Sequence, residues 1–137
     1  HPDLATSGGI IETKRIADYC RDAGIGIALH QAGSPVVAMA NAHSAMAMEN
    51  FIALEMHSVD NPWWNDLVDI VGQDGDIIKN GYVEVTDAPG LGLELNEEAI
   101  KEHLAKDSER RAAVYPKGAF EDTSDWDQLD AHDRTWS

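Results

Sequence analysis

In 137 residues, 25 Asp and Glu stand against 10 Lys and Arg, for a formal net charge of −15 at pH 7. No basic stretch exists to neutralise phosphates, so neither nucleic acid nor an anionic membrane is an expected partner. The length suffices for one domain with a real core, and the acidity fits either a surface suited to concentrated salt or an ordinary acidic protein with an acidic tail.

The chain opens on HPDLATSGG without a methionine. This stretch reads as the continuation of a parallel α/β structure whose earlier strands lie upstream, so the chain is expected to be one part of a larger fold, completed by a companion segment. Ser7 before Gly8 and Gly9 makes a helix entry. Ile10, Thr13, Ile16, Ala17 and Cys20 then recur at three and four, which predicts an amphipathic helix over 9–23 stopped by Gly24. Cys20 is the lone cysteine. It excludes an internal disulfide, fits a reducing compartment and is expected to be a small buried hydrophobe. No run of about 18 apolar residues spans a bilayer, and a cytoplasmic location is the default expectation.

IGIALH, residues 25–30, is too short for a helix and reads as a buried strand. Ser34 and Pro35 supply an N-cap and an N1 proline for a second helix, rich in small residues and running to Asn50. FIALEMH, residues 51–57, is then a second buried strand. Strand end, helix, strand, helix, strand makes repeated βαβ units and hence a parallel sheet.

The texture changes after residue 60. NPWW, a turn at 72–75 and the Asn80-Gly81 hairpin signal follow. Asn96 with Glu97 and Glu98 starts a short helix to about Lys106, with acids at its positive end. From Glu121 to Asp133 there are six acids and no Lys or Arg, as in a solvated, partly disordered tail. The expected division is 1–60, 61–106 and an acidic tail at 107–137.

Asp3, His30 and Glu55 each close a short apolar strand or what would be one. At the carboxyl ends of parallel strands side chains point into a shared mouth, so the three are expected to converge. A carboxylate beside an imidazole fixes its tautomer and raises its basicity, which makes Asp3 with His30 a candidate acid/base pair. Glu55, between Leu54 and Met56 in an apolar run, is a candidate partner for an oxygen that gains charge during reaction. His57, two residues on, lies on the same face if the strand continues and is then a candidate substrate contact; a place as the first loop residue is the slightly favoured alternative. His43 sits mid-helix, either facing outward or in helix packing. Trp63 and Trp64 form either a lid over the mouth, with Trp63 on the substrate, or packing for the segment that follows, and packing is the favoured reading.

PDLATSGGI, ALH at 28–30, ALEMH at 53–57 and PGLGLEL at 89–95 together resemble the C-terminal part of an enolase-superfamily enzyme, of the mandelate racemase-like subgroup that includes acid-sugar dehydratases. The resemblance covers about residues 1–106. It implies a (β/α)7β8 barrel in which Asp3, His30 and Glu55 end strands six, seven and eight, and a C-terminal segment that packs on an α+β capping domain upstream. It also implies His30 as the acid/base, Asp3 as its partner and Glu55 as the group that hydrogen-bonds the substrate carboxylate. Mg²⁺ is the implied cofactor, with its ligands on the N-terminal part of the same protein, and a homo-oligomer is the implied assembly. The expected activity is dehydration of a sugar acid of gluconate, galactonate or xylonate type. A racemase or epimerase using the same dyad, and a non-catalytic acidic binding module, are the alternatives.

Overall fold

A computed structural model describes residues 1–57 and 61–103. The chain divides into two units, residues 1–99 and 100–137. Of the second, residues 100–103 are described and are helical. The expected tail at 107–137 and the end of the helix expected to reach Lys106 lie outside the described residues. Among the described residues no helix is long and apolar enough to cross a membrane.

The first unit begins with a βαβ arrangement. Helix α1 covers Gly9–Asp22, strand β1 Ile27–Leu29, helix α2 Pro35–Ala45 and strand β2 Phe51–Leu54, and β1 pairs with β2 in parallel. Entry to α1 is made by backbone rather than by a serine cap. Gly8 is the N-cap at φ 110° and Gly9 follows at φ 81°, two consecutive positive angles that only glycine adopts without strain. The Ser7 hydroxyl meets Thr13 Oγ1 at 2.9 Å instead. The inward face of α1 holds Thr13 and Ala17, with Ile16 and the half-buried Cys20 beside them, whereas Ile10 stands in solvent.

Two boundaries differ from the sequence reading for local reasons. Helix α2 stops at Ala45, not at Asn50, because the carbonyls of Ser44 and Ala45 turn to accept the N–H groups of Ala47 and Met48 at 3.1 and 3.0 Å. Asn50 acts as a bracket: its Nδ2 donates to Ala17 O at 3.0 Å and Ile25 O at 2.8 Å, tying α1 to the entry of β1. Strand β2 ends at Leu54, three residues short of the expected limit, and it is not buried. Phe51 is 37% and Ile52 70% exposed, since among the described residues β1 is its strand neighbour and nothing covers its outer face.

Residues 61–99 pack on α2. Trp64, Val68 and Ile77 join Ala38, Met39 and Ala42 in one apolar cluster, and Trp64 Nε1 donates to Gly33 O at 3.0 Å. Small side chains on α2 let this layer come close. Of the tryptophan pair, Trp64 therefore packs. His43 also takes a packing place, with Nε2 3.3 Å from Leu91 O. Strand β3 (Val68–Ile70) pairs antiparallel with β6 (Leu93–Leu95), and β4 (Ile78–Lys79) with β5 (Tyr82–Val83). Asn80 and Gly81 turn that hairpin at φ 53° and 81°, the two positive angles of a type I′ turn. Asn96 Oδ1 accepts Ala99 N–H at 3.2 Å and caps the helix that starts at 97.

Candidate active site

Backbone pairing continues past the strands and lines up their ends. Asp3 and His30 form a parallel bridge, with His30 N–H donating to Pro2 O at 3.0 Å, Glu55 N–H to Leu29 O at 2.9 Å and His57 N–H to Gln31 O at 3.0 Å. Three segments, 2–3, 29–31 and 54–57, thus run side by side. Their side chains meet on one face because strand residues alternate.

His30 stands at the centre. Its Nδ1 lies 3.0 Å from Asp3 Oδ2, and the other Asp3 oxygen accepts Ala5 N–H at 2.7 Å, which fixes the carboxylate. An ionised carboxylate only accepts, so Nδ1 carries the proton and Nε2 is left with its lone pair. That Nε2 faces Glu55 Oε2 at 3.6 Å. The His30 and Glu55 side chains are each about one-third exposed, enough to be reached from solvent while keeping their partners.

Glu55 has two unlike oxygens. Oε1 accepts from His57 Nε2 at 2.8 Å. Oε2 is buried and accepts no hydrogen bond, although His1 Nε2 lies 3.2 Å away; neither His1 nor His30 is aligned to donate to it. A buried carboxylate oxygen without a hydrogen-bond donor is costly, and the imidazoles of His1 and His30 are the groups beside it, each an ion-pair partner when protonated. The His30 ring also meets His1 edge-on at 5.5 Å and His57 at 5.7 Å between centroids.

The structure therefore brings together four of the five residues singled out in the sequence: Asp3, His30, Glu55 and His57. Trp63 is half-buried, and its contact with a substrate stays a proposal. Sequence reasoning missed three residues. His1 was detectable by its i, i+2 relation to Asp3, which puts both on one face of an extended segment. Asn41, fully buried on α2, donates from Nδ2 to His30 O at 3.3 Å; an amide among alanines was its signal. Gln31, also fully buried, closes the turn after the histidine through Oε1, which accepts Gly33 N–H at 2.7 Å.

The family described as enolase C-terminal domain-like matches residues 1–99. Among curated relatives, the D-xylonate dehydratase of Haloferax volcanii is 42% identical over 105 residues, 77% of this chain and 24% of that protein. The arabinonate dehydratase of Saccharolobus solfataricus is 30% identical over 104 residues, covering 76% and 26%. A solved mandelate racemase/muconate lactonizing enzyme-like protein from Rubrobacter xylanophilus superposes with a TM-score of 0.71 at 47% identity, over 74% of this chain and 25% of that one. The chain thus spans about a quarter of the length of these relatives. The solved structures it resembles are enolase-superfamily enzymes with a TIM-barrel fold. With the family matched over its first 99 residues and its strand ends carrying a His/Asp/Glu cluster, the chain belongs to the enolase C-terminal domain-like family.

Proposed function

We propose that this chain is the C-terminal portion of a sugar-acid dehydratase, with residues 1–60 supplying strands six to eight of a (β/α)7β8 barrel, 61–106 packing against barrel and capping domain, and 107–137 forming an acidic tail. The observation that carries the reading is the Asp3–His30 pair at 3.0 Å with His30 Nε2 3.6 Å from Glu55 Oε2. The dehydratase names of the relatives support loss of water over racemisation.

In this reading the substrate is a small sugar acid. His30 Nε2 takes the proton from the α-carbon of the acid as base, or, once protonated, gives a proton to the departing 3-hydroxyl as acid. Asp3 holds Nδ1–H and so keeps that lone pair directed at the substrate. Glu55, when it carries a proton on Oε2, donates a hydrogen bond to the substrate carboxylate as it becomes an enediolate, and binding that tightens as charge develops lowers the barrier. His57 spends its Nε2 on Glu55 Oε1, so it positions that carboxylate and meets substrate with its remaining edge. Trp63 is a second proposed contact.

Enolase-superfamily enzymes generally use Mg²⁺. The donor set in this chain, two imidazoles and one carboxylate, does not fit that ion, which takes a near-octahedral shell of oxygens. The ligands are therefore assigned to the N-terminal part of the same protein, and a homo-oligomer is the proposed assembly.

The test uses the full-length protein and a panel of sugar acids with product analysis. His30→Asn should cut kcat by about 10²–10⁴ while leaving the circular dichroism spectrum unchanged, and Asp3→Asn and Glu55→Gln should each lower kcat/KM. Full activity in His30→Asn would overturn the assignment. An epimerised product without loss of water would replace the dehydratase by a racemase.

A further inference from the structure

We propose that Asn41 positions His30, holding the end of β1 so that the imidazole keeps its Nδ1–H on Asp3 and its Nε2 lone pair toward Glu55. The inference rests on the acid/base reading of His30 and adds to it a residue without access to substrate. Asn41 lies inside α2, fully buried and eleven residues beyond the histidine. Its Nδ2 donates to His30 O at 3.3 Å, while its Oδ1 is buried and accepts no hydrogen bond.

An asparagine is costly at such a place. A buried helix interior disfavours it twice, by its low helix propensity and by the polar oxygen left unpaired, whereas the buried alanines at 38, 40 and 42 carry neither penalty. What the amide adds is one donor, directed at the backbone of the histidine. α2 gives that donor a rigid base, because Ala38, Met39 and Ala42 pack with Trp64, Val68 and Ile77. Trp64 Nε1 also holds Gly33 O, in the turn that joins His30 to the helix. His30 is thus gripped on both sides of its Cα, its N–H donating to Pro2 O at 3.0 Å and its carbonyl accepting from Asn41. From that fixed backbone the ring reaches Asp3 Oδ2 at 3.0 Å. Outer contacts of this kind hold a reacting side chain in its orientation. Once the strand end is loosened, the ring can exchange Nδ1–H for Nε2–H, and the lone pair that serves as base is lost.

Two substitutions with opposite packing defects isolate the donor. Asn41→Ala leaves a void and Asn41→Leu crowds the site, and neither can donate to His30 O. Full-length protein labelled with ¹⁵N-histidine, with the His30 signals identified by their loss in His30→Asn, reports the ring tautomer by NMR without substrate. The expected result is the Nδ1–H tautomer alone in the unsubstituted protein and a mixture of the two in both variants. Asp3, Glu55, His1 and His57, the titratable groups around the ring, are untouched by these changes. On a sugar acid that the protein dehydrates, kcat should fall by up to about 10²-fold with KM unchanged. Circular dichroism identifies a variant that does not fold, and the other then decides. A mixed tautomer in the unsubstituted protein, the Nδ1–H tautomer alone in a folded variant, or loss of the fold in both variants would overturn the proposal and leave Asn41 a structural residue. Failure to turn over any sugar acid would instead remove the dehydratase reading, and the tautomer measurement would still decide the role of Asn41.

Discussion

Strands β1 and β2 are neighbours in one parallel pair and are equally apolar, yet one is sealed and the other open. Ile27 and Leu29 of β1 are 2% and 0% exposed, while Phe51 and Ile52 of β2 are 37% and 70% exposed. β1 has α1 over it and pairing on both sides, to β2 and, through the bridge at its end, to Asp3. β2 instead borders an apolar groove of about 380 Å³ lined by Ala45, Met46, Ile52, Tyr82 and Val83 among others. An apolar run reports that a fold somewhere covers it, not that the nearest residues do. The proposed barrel supplies that cover as its first strand and helix.

The largest expected effect lies in the sealed strand. Leu29→Ala should lower the unfolding free energy of the chain by about 2–5 kcal/mol, because it removes transfer energy and leaves a cavity that close packing cannot fill. Ile52→Ala, the same kind of truncation next door, should cost under about 0.5 kcal/mol, as for other solvent-facing sites. Urea midpoints at constant m-value measure both. Equal costs would break the comparison and mean that β2 is covered in solution. In the full-length protein the Ile52→Ala cost should climb toward that of Leu29→Ala.

A middle-sized effect belongs to the bracket between the two strands. Asn50→Ala deletes two hydrogen bonds, to Ala17 O and Ile25 O, and leaves one carbonyl of α1 and one at the entry of β1 with fewer partners. About 1–3 kcal/mol of destabilisation is expected, together with faster amide exchange at Ile27, whose N–H donates to Asn50 O at 2.8 Å. Unchanged exchange there would show that β1 is held without the bracket.

Much of this was legible from local chemistry. The Gly8-Gly9 pair announced the α1 entry, Asn80-Gly81 the hairpin turn, and proline the start of α2, because the angles these residues allow or fix hold whatever surrounds them. The row of Asp3, His30 and Glu55 could be anticipated from polar residues closing apolar runs. What stayed hidden depends on neighbours far along the chain. The exposure of Ile52, the use of Asn50 as a bracket, the recruitment of Ser7 by Thr13 and the unlike surroundings of the two Glu55 oxygens are all set by tertiary contacts, to which period and propensity are blind.

The smallest expected effect sharpens the comparison most. Gly26 does not have a positive φ, so alanine is allowed there by backbone geometry. Its Cβ would fall 2.3 Å from Ile52 Cδ1 and 2.9 Å from Cγ1, with Asn50 O at an ordinary 3.7 Å. The obstacle is thus the far end of one exposed side chain, free to rotate into the groove. In the 137-residue chain the strain should nearly cancel the entropic gain of about 0.4–1 kcal/mol that alanine brings through the unfolded state, leaving a change within about 0.5 kcal/mol. Where β2 is covered, Ile52 has no room to turn and the same methyl overpacks the site, at about 1–3 kcal/mol. A double-mutant cycle of Gly26→Ala with Ile52→Ala reads this directly. Coupling of about 0.4–1 kcal/mol in the chain, the size of the strain that offsets the entropic gain, and about 1–3 kcal/mol in the full-length protein is the expected pair of results, whereas equal coupling in the two would mean that some partner already holds the outer face of β2 in the chain.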